Sequence, residues 1–143
     1  MEERFNTPQD AVAREVIGAA IEVHRCLGPG LLECVYEQAL CQELALRHIP
    51  FQRQQRVPIS YKGVKLDSDL RFDILVDGQV LIELKAKEIL SPTDKPQLST
   101  YLRLMDLRLG LLINFHTSYL KNGVHRLVNR LPETFSPDEI PEL

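Results

Sequence analysis

At 143 residues with 44% hydrophobic content, the chain is long enough for one domain to bury a core without disulfide or metal staples. A net charge of -3 and a pI near 5.8 exclude a protein that coats nucleic acid by bulk attraction, and with no 18-residue apolar run and no cleavable leader the expectation is a cytoplasmic protein without a membrane anchor. The three cysteines, Cys26, Cys34 and Cys41, are odd in number and lack C-x-x-C spacing, so they read as reduced, mostly buried thiols rather than zinc or iron–sulfur ligands.

Thr7-Pro8 opens a first helix by N-cap and N1 preference. Val12, Ile17, Ile21 and Leu27 form its apolar stripe, up to the break at Gly28-Pro29-Gly30. A second helix is predicted from Leu31 to His48, with Leu32, Val35, Ala39 and Leu46 inward and Tyr36, Leu40 and Leu44 alongside. Phe51 to Ser60 and Val64 to Leu66 read as strands around a Tyr61-Lys62-Gly63 turn.

The next two strands carry the most informative pattern. In Leu70-Arg71-Phe72-Asp73-Ile74-Leu75-Val76 the even positions are apolar, and in Val80-Leu81-Ile82-Glu83-Leu84-Lys85 the apolar face is Val80, Ile82 and Leu84. A two-residue loop at Asp77-Gly78 pairs Asp73 with Ile82 and mixes the faces. A three-residue loop, Val76-Asp77-Gly78 with Gly78 at positive φ, pairs Leu75 with Gln79 and Arg71 with Glu83, which unites the apolar residues on one face. Asp73, Glu83 and Lys85 then share the other. Two carboxylates and an ammonium converging on a strand pair can hold a hard divalent cation and set a water against a phosphodiester.

Beyond Leu90-Ser91-Pro92 a third helix follows, with Thr93 as N-cap, Pro96 in its first turn, and Leu98, Tyr101, Leu102 and Met105 on it. Arg108 to Phe115 is a near-continuous apolar strand, as in the middle of a sheet. Lys121-Asn122-Gly123 is a turn, and Val124 to Val128 a last strand. Residues 1–130 therefore read as one domain and 131–143 as a loose acidic tail containing prolines. From Leu44 to Leu66 there are five bases, Arg47, Arg53, Arg56, Lys62 and Lys65, and no acid, a distribution suited to a phosphate backbone or to a solvated edge.

Gly30, Glu33 and Tyr36, with Arg71-Phe72-Asp73, Glu83-Leu84-Lys85, Gln97 to Tyr101 and Leu109 to Phe115, resemble the GxxExxY family of the PD-(D/E)XK nuclease superfamily over roughly residues 12 to 130. The resemblance implies a mixed β-sheet flanked by helices, with Asp73 and Glu83 binding Mg²⁺ or Mn²⁺, Lys85 as catalytic lysine, and Glu33 as a helix-borne acid of the same site. It also matches Gln97 and Tyr101 to a Q-x-x-x-Y element; four apart, these share a helical face where an amide and a phenol can meet substrate. Phe72 stands where the superfamily motif carries Pro.

The resulting expectation is a metal-dependent nuclease that hydrolyses DNA in preference to RNA through a metal-activated water, aided by a homodimer or protein partner for grip. The alternative is a non-catalytic nucleic-acid-binding or assembly module that retains the fold.

Overall fold

Thr7 and Pro8 start the first helix as their chemistry dictates. In the computed structural model, which describes residues 7–130, the Thr7 side chain accepts the Asp10 amide while the Asp10 carboxylate accepts the Thr7 amide, closing a capping box on α1 (Pro8–Leu27). The expected tail from residue 131 lies outside the described residues.

The buried face of α1 differs from the predicted stripe. Val12 and Ile17 are inside, but Ile21 and Leu27 are 45% and 40% exposed, and Ala13, Val16, Ala19, Ala20 and Val23 complete the face instead. Small side chains at these positions let the helix lie close against its neighbours, which three more widely spaced large residues would not. In α2 (Glu33–Leu46) the correction is larger: Leu32, Val35 and Leu46 face solvent, and the row Tyr36, Leu40 and Leu44 turns inward with Cys41. Tyr36 sets this rotation, since its fully buried ring stacks on Phe115 at 4.4 Å. Of the three thiols only Cys41 is buried, and Cys26 and Cys34 are exposed, contrary to the expectation that most would be inside.

Five strands form the main sheet in the order β1-β4-β5-β6-β7, comprising Phe51–Arg53, Ile74–Val76, Val80–Lys85, Leu109–Asn114 and Val124–Val128. Only β5 and β6 run parallel, joined through α3 (Asp94–Leu104), so the sheet is mixed and flanked by helices as predicted. Every residue of β6 is buried, as its unbroken apolar run implied. Strands β2 (Ser60–Tyr61) and β3 (Val64–Lys65) form a separate small hairpin around Lys62 and Gly63. The single long strand expected from Phe51 to Ser60 is thus broken. Gln54, at φ 52°, interrupts it, although its pairing with the Asp73 segment persists through Gln54 N–H to Asp73 O (2.9 Å) and Phe72 N–H to Gln55 O (3.1 Å).

One side of the sheet packs against α1 and α2, with Ile74, Val76, Val80, Ile82, Leu84 and Leu111 at its centre. The other meets α3 through Leu75, Leu81, Leu98, Tyr101, Leu102 and Leu112. Phe72 lies on the α3 side and not with Ile74 as the alternation suggested, because the chain kinks at Asp73 before β4 begins.

Candidate functional site

The β4–β5 hairpin has the predicted loop length but is centred one residue further on. Val76 pairs with Val80 and Ile74 with Ile82, around Asp77 and Gly78 at φ 52° and 63°, with the Gln79 amide bonded to the Val76 carbonyl at 2.9 Å. The loop is therefore Asp77-Gly78-Gln79. Asp tolerates the left-handed region well enough to share the turn with glycine, which keeps Val76 in the strand and pairs it with Val80, both fully buried. Phe72 apart, the faces are those predicted, but the partners shift by two residues. Continuing the register sets Asp73, not Arg71, opposite Glu83.

The two carboxylates are locked to each other's strand. Asp73 accepts the Leu84 amide at 2.8 Å, and the Asp73 amide reaches the Glu83 carboxylate at 3.3 Å. Burial, and then the negative charge of Asp73, push Glu83 up to about 8. Asp73 is also raised, first by burial, against the opposing help of the Leu84 amide, a Gln54 hydrogen bond and the Lys85 charge. Two buried acids that repel each other are an arrangement a divalent cation relieves.

Lys85, two residues on from Glu83, is 19% exposed. Its charge acts against the upward shifts of Asp73, Glu83 and Glu33. Glu33 begins α2 at the molecular surface; the surrounding protein raises its carboxyl by desolvation, and Asp73 adds repulsion. It lies in the electrostatic range of the pair, yet among the described residues no three His, Cys, Asp or Glu side chains form a ready-made metal-holding group. Asp73 and Glu83 thus form a buried carboxylate pair, and Glu33 adds its charge to that of Asp73 in raising Glu83.

Tyr101 is buried on α3, its hydroxyl raised by burial and then by Glu83 and Asp73, so it faces the acids. Gln97, one turn earlier, is exposed. Thr93 stands at the N-cap of α3 without making a side-chain cap; Asp94 instead accepts the Ser91 amide at 2.8 Å. Tyr36 ties down the loop before α2, its hydroxyl donating to the Gly28 carbonyl and accepting the Leu31 amide at 3.2 Å. His24 hydrogen-bonds the Thr117 carbonyl at 2.7 Å.

Three polar residues escaped the sequence reading. Glu37, 6% exposed, takes Arg53 at 2.6 Å and the Gln54 amide at 2.8 Å. The same Gln54 nitrogen lies 3.2 Å from Asp73, so Gln54 bridges the helix acid to the strand acid. Asp94, 7% exposed, receives Lys87 at 2.6 Å and lies 3.9 Å from Lys85. Burial works to raise Asp94, but the Lys87 and Ser91 hydrogen bonds and the Lys85 charge outweigh it and the carboxyl is lowered. The one available signal was Glu33 and Glu37 at i and i+4, a like-charge pair that a helix tolerates best when cations lie nearby.

No curated protein and no solved structure matches the chain. A family model described as the PD-(D/E)XK nuclease superfamily does match, over residues 10–127, a span that contains all of the main sheet but Val128, the three helices' packed faces and every candidate site residue. By that match, and by a mixed five-stranded sheet with helices on both sides that carries Asp73, Glu83 and Lys85 at one end, the chain belongs to the PD-(D/E)XK nuclease superfamily.

Proposed function

We propose that the protein is a divalent-metal-dependent nuclease acting on DNA ahead of RNA, of the GxxExxY branch suggested by Gly30, Glu33 and Tyr36. The observation that carries this reading is the buried Asp73–Glu83 pair: two mutually repelling carboxylates, neither in an ion pair among the described residues, with a lysine beside them. A structural role would favour one acid and one base at such a position.

In this reading Asp73 and Glu83 hold Mg²⁺ or Mn²⁺, with Glu33 contributing from α2 and the Leu84 carbonyl available as a further oxygen. When bound, the cation activates water and offsets phosphate charge. The chain's own groups do the rest. Lys85 holds the attacking water or stabilises charge building on the phosphate oxygens. Gln97 and Tyr101 contact substrate from α3. Glu37 and Gln54 keep Asp73 aimed, since the Gln54 amide can donate to both acids only while Asp73 stays in place. We further read residues 1–130 as one functional domain, assisted on its substrate by a second copy or a protein partner. A cytoplasmic setting suits its free cysteines, and among the described residues no helix is long and apolar enough to cross a membrane.

Calorimetry of Mn²⁺ binding, paired with cleavage assays on single- and double-stranded DNA and RNA, tests the reading. Metal binding with metal-dependent cleavage is the expected result. Metal and nucleic-acid binding without cleavage of any substrate, even with a partner, would instead make the protein a binding or assembly module.

A further inference from the structure

The end of β5 is held rigidly by β6. Phe115 N–H donates to Lys85 O at 2.8 Å, Asn114 donates through its side-chain amide to Lys87 O at 2.8 Å, and Lys87 N–H returns a bond to Asn114 Oδ1 at 3.1 Å. With the main chain of this segment fixed from both ends, the position of the Lys85 ammonium is a matter of its side chain alone. Its charge acts on Asp73, Glu83 and Glu33, and Asp94 Oδ1 lies 3.9 Å from it.

Asp94 is itself tied in place, being buried as the first residue of α3 and accepting the Ser91 amide at 2.8 Å. It treats the two lysines unequally. Lys87 reaches Asp94 Oδ2 at 2.6 Å, a charge-assisted hydrogen bond, whereas Lys85 stays 3.9 Å from Oδ1, too far for one. We infer that Asp94 and Lys87 are positioning residues for Lys85: Lys87 occupies Asp94, so that Lys85 is drawn along the strand end without being captured and keeps its reach toward Asp73 and Glu83. If Lys87 loses its charge, Asp94 becomes a buried carboxylate whose remaining cation is Lys85. A buried carboxylate left without its partner is costly enough to pull that cation in.

The catalytic consequence rests on the nuclease reading, but the electrostatic one does not, and the test separates them. Wild type, Lys87→Gln, Asp94→Asn and Lys87→Gln/Asp94→Asn are compared; Asn can still accept the Ser91 amide, and melting temperature verifies that each variant folds. The first readout is reductive methylation of Lys85 in metal-free protein, followed by mass spectrometry. Lys85 is expected to react about threefold or more slowly in Lys87→Gln, where Asp94 holds it, and to regain at least the wild-type rate in the double variant. The second is Mn²⁺-supported cleavage, in which Lys87→Gln should lower kcat about tenfold with KM within about twofold, and the double variant should recover to within about threefold of wild type. Rescue is the discriminating result, because removing Asp94's charge cannot restore a lost phosphate contact or a lost fold contribution from Lys87. Equal Lys85 reactivity in all four proteins overturns the inference, as does a kcat loss that persists in the double variant. Should wild type cleave nothing while Lys85 reactivity falls and recovers as described, the positioning role stands and the nuclease reading fails.

Discussion

Replacing Glu83 by Gln should make the metal-free protein more stable, an unusual result for a buried polar residue in the middle of a sheet. Gln is isosteric, and its carbonyl oxygen can still accept the Asp73 amide now 3.3 Å from the carboxylate. What disappears is the cost of ionising a group that burial and Asp73 push from 4.5 up to about 8. Because the folded state holds this proton more tightly than the unfolded chain, wild-type stability falls as pH rises through the window between those two values. At ~1.4 kcal/mol per pH unit the window corresponds to at most about 5 kcal/mol. Side-chain relaxation toward water and the repulsion still felt by Asp73 reduce the expected gain to about 2 kcal/mol at pH 8.5. For a chain of this length that is an increase in melting temperature of about 4–8 °C. At pH 5.5 Glu83 is still protonated in the folded protein and only the first unit of the window has been crossed, so the variant's advantage should shrink to about a third of its size at pH 8.5. Saturating Mn²⁺ should reverse the order at pH 8.5: an ion at a hundred times its dissociation constant adds ~2.7 kcal/mol to wild type and little to the variant. Thermal melts at two pH values, with and without Mn²⁺, suffice. A variant less stable than wild type at pH 8.5, or a gain of equal size at pH 5.5, would refute the claim that Glu83 is held in a destabilising, ligand-ready state.

Asp73→Ala should abolish both Mn²⁺ binding and cleavage, since it removes one of two carboxylates facing each other, whereas Lys85→Ala should keep the ion by calorimetry while losing at least about a hundredfold in kcat; a Lys85→Ala enzyme as active as wild type removes the lysine from the mechanism. Tyr36→Phe deletes a hydroxyl that both donates to Gly28 and accepts from Leu31, so a loss of ~1–3 kcal/mol in urea unfolding is expected, and wild-type stability in the variant would show that the loop does not depend on this tie. Gly123→Ala would put a Cβ 2.1 Å from the Asn114 carbonyl oxygen, forcing backbone to move beside the residue that clamps Lys87; destabilisation of about 2 kcal/mol or more is expected by the same measurement, and an unchanged midpoint would contradict the close approach.

Much of the architecture was legible because it depends on local chemistry. Thr7-Pro8 can start a helix in any context, the apolar run through Leu109–Asn114 has nowhere to go but the interior of a sheet, and the alternation from Ile74 to Lys85 allows only registers of one parity, which puts Asp73, Glu83 and Lys85 together. Parity is all that alternation can supply. The two-residue shift that sets Asp73 opposite Glu83 preserves every face, so hydrophobicity is blind to it; the choice came from Asp77 accepting a positive φ and from the burial of Val76 against Val80. Helix rotation was equally undetermined by pattern, since α2 is apolar on several sides and the stacking of Tyr36 on Phe115, far away in sequence, selected which of them turned inward. The links from Glu37 through Gln54 to Asp73, and from Asp94 to Lys87 and Lys85, join residues on different elements with no shared periodicity. Such contacts form only once packing has brought helices and strands together, because a polar side chain's partner is chosen by which desolvated group lies within about 3 Å of it, a distance the linear chain does not encode.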